Sequence, residues 1–253
     1  MVRSKLHGRA KIAAGWASLL LLASWPAQAS VHDIGLPAAE PLPAVLTSSN
    51  AQPDDAKAST RPKAANFFHE RPSTEARRVA NWAVASGDNG GLPYVVIDKV
   101  SAKVFVFDAQ GQLRGGSTAL LGLAKGDYTA PGIGTAKLAA IRPEQRTTPA
   151  GRFVATLGHD FQRDVLWVDY DAAISLHRVV AGNAGDHRLQ RLATSSPAEK
   201  RITYGCINVP ASFFDAVVLG QFAGTTGIVY ILPEVRKLED VFPINGPGTH
   251  KTR

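Results

Sequence analysis

Apolar positions recur along this chain in three rhythms. From Ile12 to Trp25 they dominate a run of 14 residues. Between Ser73 and about Ser86, the residues Ala76, Val79, Ala80, Trp82 and Ala83 fall at helical spacing, with Ser73 placed to cap, which predicts a short helix packed on a folded domain. After Gly90-Gly91 the rhythm shortens. Tyr94 to Ile97 and Lys103 to Phe107 are dense in β-branched and aromatic residues, with Asp98-Lys99 between them and Asp108-Ala109-Gln110-Gly111 closing the second run, so two adjacent antiparallel strands are expected. Further strand-like runs follow at 152–157, 165–170, 174–180 and 228–232. Short strands at this frequency predict a mostly-β domain, a sandwich or partly closed barrel with one or two short helices. One of those helices is expected over 213–219, with Ser212 as its cap and Phe214, Val217 and Val218 as its apolar stripe. The polar stretch 181–200, with Gly182, Gly185 and Pro197, reads as a long loop with a helical turn at 189–192; loops of that length are usually functional or disordered.

The first apolar run follows Arg3, Lys5, Arg9 and Lys11 and precedes Pro26-Ala27-Gln28-Ala29, the three parts of a secretory signal peptide over 1–29. It is shorter than the about 20 residues a membrane-spanning helix needs, so stable insertion after cleavage is not expected. Residues 30–71 are rich in Ala, Pro and Ser without periodicity and read as a flexible spacer; 72–91 hold the short helix and its lead-in. The formal charge of +7 suggests an anionic partner, but the leader contributes more than half of it, and export disfavours nucleic acid. The expected location is the periplasm or cell envelope.

The chain has one cysteine, Cys206. An oxidising compartment favours paired cysteines, so a lone thiol is either a small buried hydrophobe or a reactive group. Cys206 follows Thr203-Tyr204-Gly205 and precedes Ile207-Asn208-Val209-Pro210, at the exit of a tight glycine turn. A glycine there leaves room for a substrate carbonyl, and backbone N–H groups around it can converge on an oxyanion. A thiol of ordinary pKa near 8.5 also needs a base, and His177 at the end of the run 173–176 is the candidate that a rigid strand would hold. A single histidine at a strand end is more often structural, so it is the combination that carries weight.

That combination resembles the L,D-transpeptidase catalytic domain, the YkuD-like fold. The family has a histidine at a strand end, a variable loop, then Ser or Thr, usually His, Gly-Cys, an aliphatic residue, and Arg or Asn. Here stand His177, Thr203, Tyr204, Gly205, Cys206, Ile207 and Asn208. Val95 to Asp98 with Lys103 to Phe107 is similar to the family's first hairpin, Thr148-Pro149-Ala150-Gly151-Arg152-Phe153 to its Thr-Pro-x-Gly-x-Phe segment, and Gly227 to Ile231 to its closing strand. The resemblance covers 92–234, leaving 235–253 as a tail. It implies a cysteine acyl transferase of peptidoglycan stem peptides, with Cys206 as nucleophile, His177 as base and acid, the Gly205 backbone in the oxyanion site, and Thr203 and Tyr204 beside it. Asn208, Arg178 and Arg201 are expected to contact substrate. The acceptor is an amine of a second stem or of an envelope protein, and no metal or organic cofactor is implied.

Tyr204 departs from the family's usual second histidine, and the interval from His177 to Cys206 is longer than usual, which makes His187 a rival base. His177 is preferred because His187 lies in a polar run with no strand to fix it. Arg188, Arg191, Lys200 and Arg201 flank the motif; singly they read as solvated, together as a carboxylate-binding lid. His159-Asp160 and Asp169-Tyr170-Asp171 lack metal-ligand spacing, and 126–134 lacks the features of a phosphate loop. The rival functions are water-resolved L,D-carboxypeptidase activity, a zinc carboxypeptidase, a cysteine peptidase of NlpC/P60 type, which would place Cys before His, and a non-catalytic wall-binding module.

Overall fold

The computed structural model describes residues 64–160 and 163–244. The expected signal peptide and residues 30–63 of the expected spacer lie outside the described residues. Among the described residues, no helix is long and apolar enough to cross a membrane.

Helix α1 (Thr74–Ser86) comes first. Ser73 Oγ accepts from the Ala76 N–H at 3.1 Å, and Gly87 ends the helix in the left-handed conformation, the capping that the sequence predicts at its start. Strands β1 (Tyr94–Asp98) and β2 (Lys103–Phe107) pair antiparallel, as expected, and β2 turns into β3 (Leu113–Thr118) through Asp108, whose Oδ1 accepts from the N–H groups of Gln110 and Gln112. After the two-residue β4 (Leu121–Gly122) come β5 (Gly151–Asp160), β6 (Arg163–Asp169) and β7 (Ile174–Arg178). Helix α2 (Arg188–Ala193) lies within the predicted long loop, and β8 (Arg201–Thr203) and β9 (Ile207–Val209) flank Cys206.

The next helical stretch is continuous but mixed: α3 (Ala211–Phe213), a π-helical segment (Phe214–Val218) and α4 (Leu219–Phe222). It starts earlier than the sequence predicts. Pro210 occupies the N-cap position with no side-chain cap bond, so Ser212 is not the cap. Strand β10 (Thr226–Ile231) completes the sheet.

The main sheet has the order β3-β2-β1-β10-β5-β6-β7-β9, with β1–β10 and β7–β9 parallel and the other neighbours antiparallel. Its two edges meet. Leu120, just past β3, exchanges two backbone hydrogen bonds with Asn208 in β9, at 2.8 and 2.9 Å, so the sheet curls into a nearly closed barrel. The architecture is mostly β with a few short helices.

Two cores share the strands. Val95, Ile97, Val104, Val106, Leu166 and Leu176 fill the barrel together with Phe214, Val218 and Phe222 of the helical stretch. Tyr94, Val96, Phe105, Phe107 and Tyr230 point to the opposite face and pack on α1. Strand β1 is therefore buried along its whole length, because both of its faces are covered. The same second core takes in Ala65 and Phe67 at one end and Leu238 and Phe242 at the other. Two boundaries expected from sequence are corrected by this: the spacer does not extend to 71, and the tail is part of the fold at least to Phe242.

A buried ionic cluster fastens the strand ends near β4. Lys99, read from sequence as part of a turn, has a fully buried side chain whose Nζ donates to Asp127 Oδ1 (2.8 Å), Gly126 O (2.6 Å) and Thr148 O (2.9 Å). Asp127 also accepts from the N–H groups of Glu234, Val235 and Arg236, and Glu234 pairs with Arg201. The donors and acceptors are satisfied by one another, which is the condition under which charge is tolerated in an interior.

Candidate active site

Cys206 sits between two strands of different sheets, and the turn that carries it is pinned from both sides. Thr203 Oγ1 donates to Cys206 O (2.7 Å) and accepts from the Gly205 N–H (3.2 Å). Thr148 Oγ1, fully buried, donates to Gly205 O (2.8 Å) and accepts from the Gly122 N–H (2.9 Å). Thr148 lies in the Thr-Pro-x-Gly-x-Phe segment, so its position was visible in the sequence although its task was not.

Gly205 has φ +130°, and a Cβ there would lie 2.7 Å from both Thr147 O and Ile174 Cδ1. The glycine is therefore required by backbone strain and by close packing under the turn, in addition to any approach of substrate. In this conformation its N–H, expected in the oxyanion site, donates to Thr203 Oγ1.

The parallel register of β7 and β9 sets His177 beside Asn208 and Leu176 beside Ile207. Leu176 and Ile207 point into the barrel. Alternation sends Ser175 and His177 to the outer face, where Cys206 and Asn208 meet them: Ser175 Oγ lies 3.8 Å from Cys206 Sγ, and Asn208 Nδ2 lies 3.0 Å from His177 Nε2. Thiol and imidazole thus share one face of adjacent chain segments. The sulfur's other polar neighbour is Ala173 O at 3.6 Å.

Cys206 is half-buried. Crowding by protein atoms pushes its thiol up from the ordinary value, against the opposing effect of the Ser175 N–H and hydroxyl. Burial likewise lowers His177; the neighbouring Arg178 carbonyl and the charge of Asp160 act in the raising direction, while Arg188 and Arg163 add to the lowering. Both shifts act toward the uncharged forms, a thiol and a neutral imidazole. His177 Nδ1 lies 2.8 Å from Arg178 O, which can only accept, so the proton is on Nδ1 and Nε2 carries the lone pair that faces Asn208. A cleft of about 330 Å³ opens beside the imidazole, lined by Asp160, Arg163, Asp164, Val165, His177, Arg178 and Val180.

Several residues expected to contact substrate are committed elsewhere. Arg178 donates to Asp215 Oδ1 and Asp164 O, and lies over the Phe214 ring. Arg201 donates to Lys99 O and pairs with Glu234. Asn208 is buried, its amide divided between His177 and Arg188. Three of the four basic residues of the expected lid hold the loop itself: Arg191 donates to Asp186 O and Glu199 O, Lys200 to Thr194 O, and Arg188 to Asp186 Oδ2 and, beyond the loop, to Asn208 Oδ1. His187 is exposed in a left-handed turn before α2. Tyr204 is half-buried with the Arg146 guanidinium 4.1 Å above its ring. Among the described residues, no group of three or more His, Cys, Asp or Glu side chains is arranged to hold a metal ion. Sequence reasoning missed Ser175, which lies two residues before His177 and so shares its face.

Neither a protein-family model nor a characterised protein matches the sequence. Among solved structures the chain is similar to Pgp2, a helical cell shape determining protein from Campylobacter jejuni, at 14% identity over 65% of this chain and 58% of that one, with a TM-score of 0.38. The K307A mutant of Pgp2 matches at the same identity and TM-score, over 66% of this chain and 58% of that one. The chain spans less than two thirds of that protein's length, and likeness at this level fixes neither activity nor substrate.

Proposed function

We propose that this chain is a cysteine acyl transferase. The observation that carries the reading is the placement of the lone thiol on a doubly pinned turn, on the same face as an imidazole whose tautomer leaves a lone pair at Nε2. A core cysteine needs neither a pinned turn nor a base on the adjoining strand.

More specifically, the motif residues favour an L,D-transpeptidase acting on peptidoglycan stem peptides in the cell envelope. Nε2 exchanges Asn208 for the thiol and takes its proton as Sγ attacks the carbonyl that joins a diamino acid's L-centre to the following D-alanine. With the Gly205 N–H engaged by Thr203, this reading assigns the developing oxyanion to the Cys206 N–H. The tetrahedral adduct collapses as the C–N bond breaks, His177 returns the proton to the leaving amine, and D-alanine departs. The thioester is then resolved by an acceptor amine, whose N–C bond replaces the S–C bond and whose proton passes through His177 to the thiolate.

Product analysis tests this reading. Incubating the protein with a tetrapeptide muropeptide is expected to release D-alanine and give cross-linked dimer when an amine acceptor is present. Tripeptide alone, formed at the same rate with or without acceptor, assigns the site to hydrolysis. No D-alanine release from any stem peptide contradicts the acyl-transfer reading.

A further inference from the structure

The long interval between His177 and Cys206 delivers one side chain back to the base. Arg188 at the start of α2 places Nη1 3.2 Å from Asn208 Oδ1, and its Nε is anchored 3.0 Å from Asp186 Oδ2. A guanidinium has donors only, so it dictates which end of the Asn208 amide faces it. The oxygen must point to Arg188 and the NH₂ group to His177, where it donates to Nε2 at 3.0 Å. The Nδ1–H donating to Arg178 O closes the chain, and every group in it has one consistent role. We propose that Arg188 is a positioning residue for the base: by fixing the Asn208 amide it holds His177 neutral, with Nε2 occupied, until substrate displaces that contact.

Turning the amide over would reverse the preference. Asn208 Oδ1 would then accept from Nε2–H while Arg178 O accepted from Nδ1–H, and the doubly protonated ring would be the favoured form. A resting site with the masked lone pair has a thiol that is not standing beside a free base, which limits oxidation of a half-buried cysteine in an oxidising compartment. The charges around His177 from the other elements are Asp160 at the end of β5, Arg163 and Asp164 on β6, and Arg178 on its own strand. None of them touches Asn208 in the way Arg188 does.

The inference rests on His177 being the base, but its test reads protonation and not turnover, so the two fail separately. The folded full-length chain, labelled with ¹⁵N-histidine, is titrated by long-range nitrogen–proton correlation, with His177 assigned by its loss in His177→Asn. The expected wild-type signal is an Nδ1–H imidazole that protonates below pH 6.5. Arg188→Ala is expected to raise that midpoint by about one unit, and Arg188→Lys, which keeps a donor, to restore most of it. In the Asn208→Ala background the same Arg188→Ala change is expected to move the midpoint little, because the relay is already cut. An equal rise in both backgrounds shows a direct charge effect and overturns the proposal, as does an unmoved midpoint in Arg188→Ala alone.

Discussion

Cys206→Ala is expected to abolish stem-peptide turnover, by about a thousandfold or more, while leaving the protein folded. The loss is large because acyl transfer through a thioester has no route without the sulfur, and the remaining backbone donors supply only residual rate. The fold survives because the thiol's polar contacts are long, to Ser175 Oγ at 3.8 Å and Ala173 O at 3.6 Å, and none of them holds the turn. The turn is held by Thr203 and Thr148, which the substitution does not touch. A stability change of about 1 kcal/mol or less is expected, measured by urea unfolding beside the activity assay. Full turnover in the variant contradicts the assignment of the nucleophile.

Lys99→Met has the opposite profile, with its main effect on stability. The substitution leaves Asp127 and Glu234, with side chains 1% and 3% exposed, without the ammonium that bridges them. It also strips donors from Gly126 O and Thr148 O. Removing one partner of a buried pair costs about 3–5 kcal/mol, which is a large fraction of a small domain's stability. Because Thr148 in turn holds Gly205, the reactive turn is expected to loosen with it. Burial pulls the Lys99 ammonium below its ordinary value, and Asp127 pushes it back up.

The same cluster sets an acid limit. Burial acts to raise Asp127, but the Lys99 hydrogen bond and three backbone N–H groups outweigh it and hold the carboxyl at about 2, below its ordinary 3.8. A carboxylate lowered in the folded state stabilises the fold above its unfolded value, and that contribution is lost as protons bind on the way down. The wild type is therefore expected to lose stability between pH 3.8 and about 2. A urea midpoint unchanged across that window, or a fall of less than about 1 kcal/mol in Lys99→Met, would sink this account of the cluster.

What the sequence made legible was whatever is written locally. The cap at Ser73, the hairpin of β1 and β2 and the glycine turn before Cys206 all follow from short-range patterns. Strand β3 escaped because Leu113–Thr118 contains Gly115 and Gly116, which look like breakers. A Cβ at Gly115 would lie 3.0 Å from Val217, so the helical stretch packs tightly over the glycine, and only the packed fold shows it. Strands β8 and β9, of three residues each, are too short for any periodicity to register.

The candidate site divides in the same way. Cys206, His177 and the turn residues form a sequence pattern, but their shared face depends on a parallel pairing across some thirty residues, which no local rhythm encodes. Arg178 and Arg201 look like substrate ligands in the sequence because a sequence displays charge and conceals partners. In the fold, Asp215, Asp164 and Glu234 claim them. Lys99 is the converse, a residue with the look of a solvated turn that is sealed in the interior.

The chemistry is tested most directly by intact-mass measurement of the purified protein mixed with a tetrapeptide stem donor and no acceptor. The expected result is a covalent adduct with the mass of the donor less D-alanine, mapped by peptide digestion to Cys206 and discharged when an amine is added. A chain whose mass stays unchanged under conditions where D-alanine is released, or an adduct that maps to another residue, would contradict the proposal that this sulfur carries the acyl group.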